Sequence, residues 1–196
     1  SNYNRIFVVI DEVVNKKYRS LIFNNLKMHR KIIYDFKITS LEKEKNINTA
    51  FQIINEFENN LIGRFDLVVA VGGGFIFDVV SFVCSIYMRG IPFFAVPTTL
   101  IGQVDAATAG KTCLNGNTTK NLLGTYYFAK ITYNNTYFLQ TLNPYDLRQG
   151  LSEIFKYGLL GSIKLIKYLN SYILKRKYDK IESIIEETIR VRVKIR

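Results

Sequence analysis

Four short apolar runs punctuate the first half of the chain: RIFVVI at residues 5–10, IIYDFKI within 31–38, LVVAV at 67–71 and FFAV at 93–96. Each is too short for a buried helix and rich in β-branched or aromatic residues, which predicts strands, and the continuous runs suit a parallel sheet covered on both faces. Between them, apolar residues recur at three and four, predicting helices over 12–28, from Ile47 to Phe57 and from Ile76 to Tyr87. The predicted helix in the middle carries Ile47, Ala50, Phe51, Ile54 and Phe57 on one face. The order β-α-β-α-β-α-β is that of a parallel sheet with crossover helices. A further strand is predicted at Lys130–Tyr133. From Asn143 the pattern is helical, with Leu147, Leu151, Ile154, Tyr157 and Leu160 on one stripe, then helices at 162–174 and 179–195. The pattern predicts an α/β domain over residues 1–142 and the beginning of an α-helical one over 143–196.

The strand ends carry the candidate chemistry. Gly72-Gly73-Gly74 closes the run at 67–71 and opens a helix, which lets backbone amides approach an anion; a tight turn with no ligand accounts for the glycines equally well. Pro97-Thr98-Thr99 places two hydroxyls just past another strand, the edge where open α/β sheets bind ligands. Asp11 admits two readings, a ribose contact or the N-cap of the helix that follows. Ser40 is a candidate cap, and Glu42 and Lys45 read as exposed charges. Residues 100–124 show little periodicity but many polar groups, the composition of a working loop. Glu153 and Lys156 share a helix side, and spacing alone makes them an ion pair worth a few tenths of a kcal/mol. Arg89 reads as a charge at a helix end.

Composition narrows the class. The 196 residues are 48% apolar and 14% aromatic, enough for a sizeable core. The formal net charge of +11 raises the question of nucleic acid, but the cations are scattered among acids and amides rather than striped with aromatics. Cys84 and Cys113 form no metal-type pair, and such sparing use of cysteine suits a reducing compartment. No apolar run approaches the ~20 residues of a membrane span, nor does a basic-then-apolar leader open the chain. A soluble cytoplasmic protein is expected, with no nucleic-acid or membrane partner.

Taken together, GGG-x-x-x-D, YMRGIPF, VPTT, QVDA, GKT, KN and GLSEIFKYG resemble the amino-terminal half of the 3-dehydroquinate synthase family of NAD-dependent sugar-phosphate cyclases. The likeness runs from about residue 5 to 196 and is densest between Gly72 and Gly158. It implies a Rossmann-like, dehydroquinate synthase-like fold that begins slightly inside the first domain. It also implies a homodimer that binds NAD, a divalent metal such as zinc, and a small sugar-phosphate substrate. Asp11 would meet the adenosine ribose, and Glu42 and Lys45 the adenosine end. Gly73, Gly74 and Asp78 would serve the pyrophosphate turn and the nicotinamide end. Thr98, Thr99, Phe138 and Thr141 complete the cofactor contacts. Asp105 would lie near the reacting sugar. Lys111, Lys120 and Asn121 would cradle cofactor and substrate phosphate, and Arg89 would reach a phosphate across the dimer. Glu153 would ligate the metal and Lys156 the substrate.

The full reaction so implied oxidises a seven-carbon keto-acid sugar phosphate, eliminates phosphate, returns the hydride and closes a carbocycle by aldol addition. The family's other two metal ligands are histidines of the second domain. The sole histidine here, His29, lies in the first, so the likeness implies an inactive fragment. Three departures stand out: Phe77 and Ala109 replace glycines, and CLNGNTTKN replaces the usual GVNHPLGKN. Related readings are a 2-deoxy-scyllo-inosose synthase-like cyclase and a polyol dehydrogenase of the same fold. A non-catalytic NAD-binding module is a reading of another class.

Overall fold

A computed structural model describes residues 3–27, 31–174 and 181–195. His29, and the ends of the helices predicted to reach residue 28 and to begin at 179, lie outside the described residues. Strands β1 (Arg5–Asp11), β2 (Ile32–Ile38), β3 (Leu67–Gly72), β4 (Phe93–Pro97) and β5 (Ile131–Thr132) form one sheet in the order β2-β1-β3-β4-β5. Every pairing is parallel, with Val9 opposite Phe36 and Ala70, and Ala70 opposite Ala95. Helices α1 (Glu12–Lys27), α2 (Ile47–Asn59) and α3 (Gly74–Ile86) make the crossovers, as the apolar runs predict.

Alternation along β1 and β3 splits the core between the two faces. Phe7, Val9, Val68 and Ala70 pack with α2 and α3, while Ile6, Val8, Leu67 and Val69 pack with Phe23 of α1. The buried stripe of α2 is Ala50, Ile53 and Phe57 with Thr49. Ile47 and Phe51, predicted on that face, are 38% and 55% exposed, because the stripe follows 50, 53 and 57 and leaves its rim in solvent. The cap of α2 is Asn46, whose side-chain oxygen accepts from Asn48 N and Thr49 N, not Ser40. Cys84 is buried in the core between the sheet and α3.

The aperiodic stretch after β4 is a helical segment over 100–109 with a π turn, Gly102–Ala106, followed by one regular turn, α4 (Ala107–Ala109). Thr99 Oγ1 accepts from Gly102 N at its start (3.1 Å). A π turn inserts a residue into the helical period, and so the pattern of apolar positions conceals it. A two-stranded ladder follows, with Lys111 opposite Tyr126 and Leu114 opposite Leu123. Then come α5 (Pro144–Gly161), α6 (Ile163–Leu174) and α7 (Ile181–Ile195). Their core unites Ile154, Tyr157, Leu165 and Ile184 with Leu100 and Val104 from the π segment. Leu160, predicted on the buried stripe, is 59% exposed. No helix among the described residues is long and apolar enough to cross a membrane.

Candidate functional site

In a sheet of order 2-1-3-4-5 the connections reverse direction between β1 and β3, and the crevice beyond their carboxyl ends is the expected ligand site. A cleft of about 480 Å³ opens there. Asp11, Gly73, Gly74, Thr98, Thr99, Phe138 and Thr141, seven of the sequence candidates, line it together. Asp11 Oδ1 accepts from Val13 N (2.8 Å) and Val14 N (3.0 Å), so the residue caps α1; Oδ2 has no hydrogen bond among the described residues. Gly73 caps α3 and Gly74 is its first residue, which leaves early backbone amides of the helix at the cleft. A Cβ on Gly73 would come within 3.1 Å of Thr99 Cγ2, so a side chain there would crowd the turn.

The opposite wall comes from α1 and the turn before α5. Tyr18 OH and Thr141 Oγ1 share a hydrogen bond of 2.7 Å, and the Tyr18 ring meets Phe138 edge-on at 5.1 Å. Tyr18, Ser40 and Asp146 also line the cleft; Tyr18 and Asp146 are not among the sequence candidates, and Ser40 is there only as a helix cap. Nothing in the sequence marks Tyr18 beyond its place in the helix predicted over 12–28. Ser40 Oγ is buried without a hydrogen-bond partner among the described residues, an orphan polar atom beside the cleft. Phe77, by contrast, is buried in the core under the π segment, within reach of Gly102, and does not line the cleft.

A second group of candidates gathers around Lys45. Its Nζ donates to Asn121 Oδ1 (2.6 Å) and Asp78 Oδ2 (3.2 Å) and lies 3.7 Å from Glu42 Oε1. Glu42 and Lys45 on one side and Asp78 and Asn121 on the other therefore form a single cluster. A division that sends the first pair to one end of a dinucleotide and Asp78 to the other is not what the geometry offers. Burial pushes the Asp78 carboxyl above its usual range, and the neighbouring Lys45 ammonium pulls it part of the way back. For Lys45 burial works downward, but Asp78, Cys113 and Glu42 outweigh it and hold the ammonium above its ordinary value.

Lys120 lies in an adjoining cleft with Asn48 and Asn115, and Asn115 Oδ1 accepts from Asn121 N, so the cleft borders that cluster. Lys111 is exposed at the far end of the ladder, three residues before Leu114 and so about 10 Å along the strand from its pairing. Of the three residues expected to form a phosphate cradle, Lys120 and Asn121 adjoin through Asn115, while Lys111 sits further along the ladder. Arg89 is exposed on a tight turn whose backbone is left-handed at Met88 (φ 48°), Arg89 (62°) and Gly90 (116°).

Asp105, on the π turn, is held from the helical side. Arg192 Nε lies 2.8 Å from its Oδ1, and Tyr157 OH donates to the same oxygen at 3.0 Å. Arg192 also donates to the Tyr157 oxygen (3.1 Å) and to Thr108 Oγ1. Arg192 is 8% exposed, although nothing in RVRVK sets it apart from an ordinary charged helix end. Glu153 makes an ion pair with Lys156, as spacing alone predicts. The described residues hold no group of three or more side chains able to bind a metal ion, so Glu153 offers one carboxylate and not a complete site.

Comparison with known proteins agrees with this architecture. A 3-dehydroquinate synthase of Sulfurisphaera tokodaii is 41% identical over 166 residues, covering 85% of this chain and 47% of its own length. A 2-epi-valiolone synthase of Actinosynnema mirum is 35% identical, covering 85% and 44%. A solved structure of ValA, a 2-epi-5-epi-valiolone synthase from Streptomyces hygroscopicus with NAD+ and Zn2+ bound, superposes with a TM-score of 0.92 at 29% identity, covering 97% of this chain and 54% of that one. The chain spans about half the length of these relatives. Residues 35–149 match the sequence model described as 3-dehydroquinate synthase N-terminal, and the chain therefore belongs to the 3-dehydroquinate synthase family.

Proposed function

We propose that this chain is the dinucleotide-binding part of a 3-dehydroquinate synthase-like cyclase and that the cleft between β1 and β3 takes NAD. The observation that carries this reading is the meeting of a glycine helix start, a strand-end carboxylate and two threonine hydroxyls in one cleft. The first amides of α3 face a pyrophosphate, with no side chain on Gly73 or Gly74 to hold it off. Asp11 accepts from ribose hydroxyls through the oxygen its cap leaves over. Thr99 Oγ1, already an acceptor from Gly102, keeps its proton to donate. When bound, NAD supplies a reversible hydride acceptor.

On this reading the whole protein converts a seven-carbon keto-acid sugar phosphate to 3-dehydroquinate with loss of phosphate, as a carbon–oxygen lyase in the cytoplasm. Asp105 and Lys156 belong to the substrate side, and Arg89 serves the phosphate of a second subunit in a homodimer. Residues 1–142 form the cofactor domain and 143–196 open the helical one. Glu153 contributes one donor to a zinc site whose remaining donors come from outside the described residues. The likeness to the two valiolone synthases favours a second reading, a sugar-phosphate cyclase of the family that forms a product other than 3-dehydroquinate.

Calorimetric titration of the 196-residue chain with NAD+ tests the cofactor reading. Saturable one-to-one binding, weakened about tenfold or more in Asp11→Asn, is expected, since a charged hydrogen bond contributes ~1.5–3 kcal/mol. Absence of binding refutes it. Product analysis after incubating the whole protein with zinc, NAD+ and the seven-carbon keto-acid sugar phosphate separates the two cyclase readings: 3-dehydroquinate with released phosphate supports the first, and the absence of both supports the second.

A further inference from the structure

The Lys45 cluster contains a residue to which the family likeness assigns no role. Cys113 stands in CLNGNTTKN where the usual segment begins with glycine. Its Sγ lies 3.2 Å from Asn121 Oδ1 and 3.7 Å from Lys45 Nζ. Asn121 is exposed and takes a left-handed backbone (φ 54°), a conformation asparagine tolerates better than most residues. Its backbone N–H donates to Asn115 Oδ1 (2.9 Å), and Asn115 Nδ2 in turn donates to the Glu42 carbonyl oxygen (3.1 Å) and carboxylate (3.0 Å).

A side-chain amide oxygen has two lone pairs. At Asn121 both are taken, one by the Lys45 ammonium at 2.6 Å and one by the Cys113 thiol. Turning the amide over would set its NH2 against the Lys45 ammonium, and against the Cys113 S–H as long as that proton points at Asn121 and not at the neighbouring Asp78 carboxylate, so the network favours the orientation shown. The Asn121 NH2 group makes no hydrogen bond among the described residues. Burial, and then the charge of Asp78, push the Cys113 thiol up to about 11, so it remains a proton donor across the physiological range.

We infer that Cys113 is a positioning residue. With Lys45 it holds the Asn121 amide in one orientation, leaving two N–H donors beside an ammonium for a phosphoryl oxygen of the ligand. The identity of that ligand rests on the cofactor reading above; the positioning does not, and the two fail separately.

Two variants of the full 196-residue chain test it. Cys113→Ser keeps a donor of similar reach; Cys113→Ala removes it. In ligand-free 15N–1H spectra the Asn121 NH2 pair, identified by its loss in Asn121→Asp, is expected to keep its position in Cys113→Ser. In Cys113→Ala it is expected to shift or broaden as the amide samples both orientations. Titration with NAD+ and, separately, inorganic phosphate should show about threefold weaker binding in Cys113→Ala and near-parent binding in Cys113→Ser, the size expected for one weak neutral hydrogen bond. An unchanged NH2 pair in Cys113→Ala, or a Cys113→Ser pair displaced as far as that of Cys113→Ala, overturns the inference. If the parent binds neither probe, the cofactor reading fails while the ligand-free spectra still decide the positioning.

Discussion

Arg192 shows what a single buried cation does here. It reaches from the last helix to Asp105 at 2.8 Å, and Tyr157 bridges the two groups. Deleting one member of such a set strands the others, which costs more than the pair contributes when intact. Arg192→Met is therefore expected to lose about 2–3 kcal/mol, less than for a fully buried pair because Asp105 retains access to water. Urea unfolding should show the midpoint fall with an unchanged slope. The double variant with Asp105→Asn should recover part of the loss, since the stranded carboxylate is then gone. None of this was legible at the residue level. Asp105 was singled out through the QVDA motif, but nothing in RVRVK distinguishes Arg192 from its solvated neighbours, and only the packing of α7 on the π turn buries it.

Elements meet here at close quarters, and glycine marks where. Gly150 of α5 lies against the π segment so closely that a Cβ would stand 2.5 Å from Leu100 Cβ and 2.9 Å from the Ile101 backbone nitrogen. Gly150→Ala is expected to cost about 2 kcal/mol despite alanine's better helix propensity, because backbone must move to admit it. Thermal unfolding of the variant checks this. Helix α1 is fastened to β2 by a two-pronged ion pair, Arg19 to Asp35 at 2.8 and 2.9 Å. The hydrogen bond from Arg19 holds the Asp35 carboxyl below its ordinary value of 3.8. A depressed carboxyl pKa stabilises the fold above the unfolded value, and that stability is lost as pH falls through the folded value. Asp35→Asn should thus cost about 1 kcal/mol at pH 7, and the gap to the parent should narrow below pH 3.8 and close at lower pH. Denaturant midpoints measured from pH 7 to pH 2 would contradict this by a constant gap.

For the whole molecule, the cofactor reading has a thermal consequence. A ligand that binds only the folded chain stabilises it by about 2.7 kcal/mol at a hundredfold excess over Kd. For a chain of this size that raises the melting temperature by roughly 5–10 °C. NAD+ should give a rise of that order, and Gly73→Ala should reduce it by narrowing the turn against Thr99. An equal rise in the variant would show that the turn does not hold the dinucleotide.

The chain's own pattern determined the five parallel strands' supply of residues, the crossover helices and the glycine turn, because apolar runs and their periods are local properties that burial on both faces enforces. Through its motifs it also marked seven residues that do line one cleft. The pattern did not show the π turn, whose extra residue breaks the period, or which polar groups would meet. Lys45 finds Asn121 across 76 positions and Tyr18 finds Thr141 across 123, and whether a charge is solvated or buried against a partner is settled only when those elements pack. Tertiary structure alone therefore turned Glu42, Lys45, Asp78, Cys113 and Asn121 from separate positions along the chain into one cluster: the buried Lys45 ammonium must find partners, and the fold supplies them.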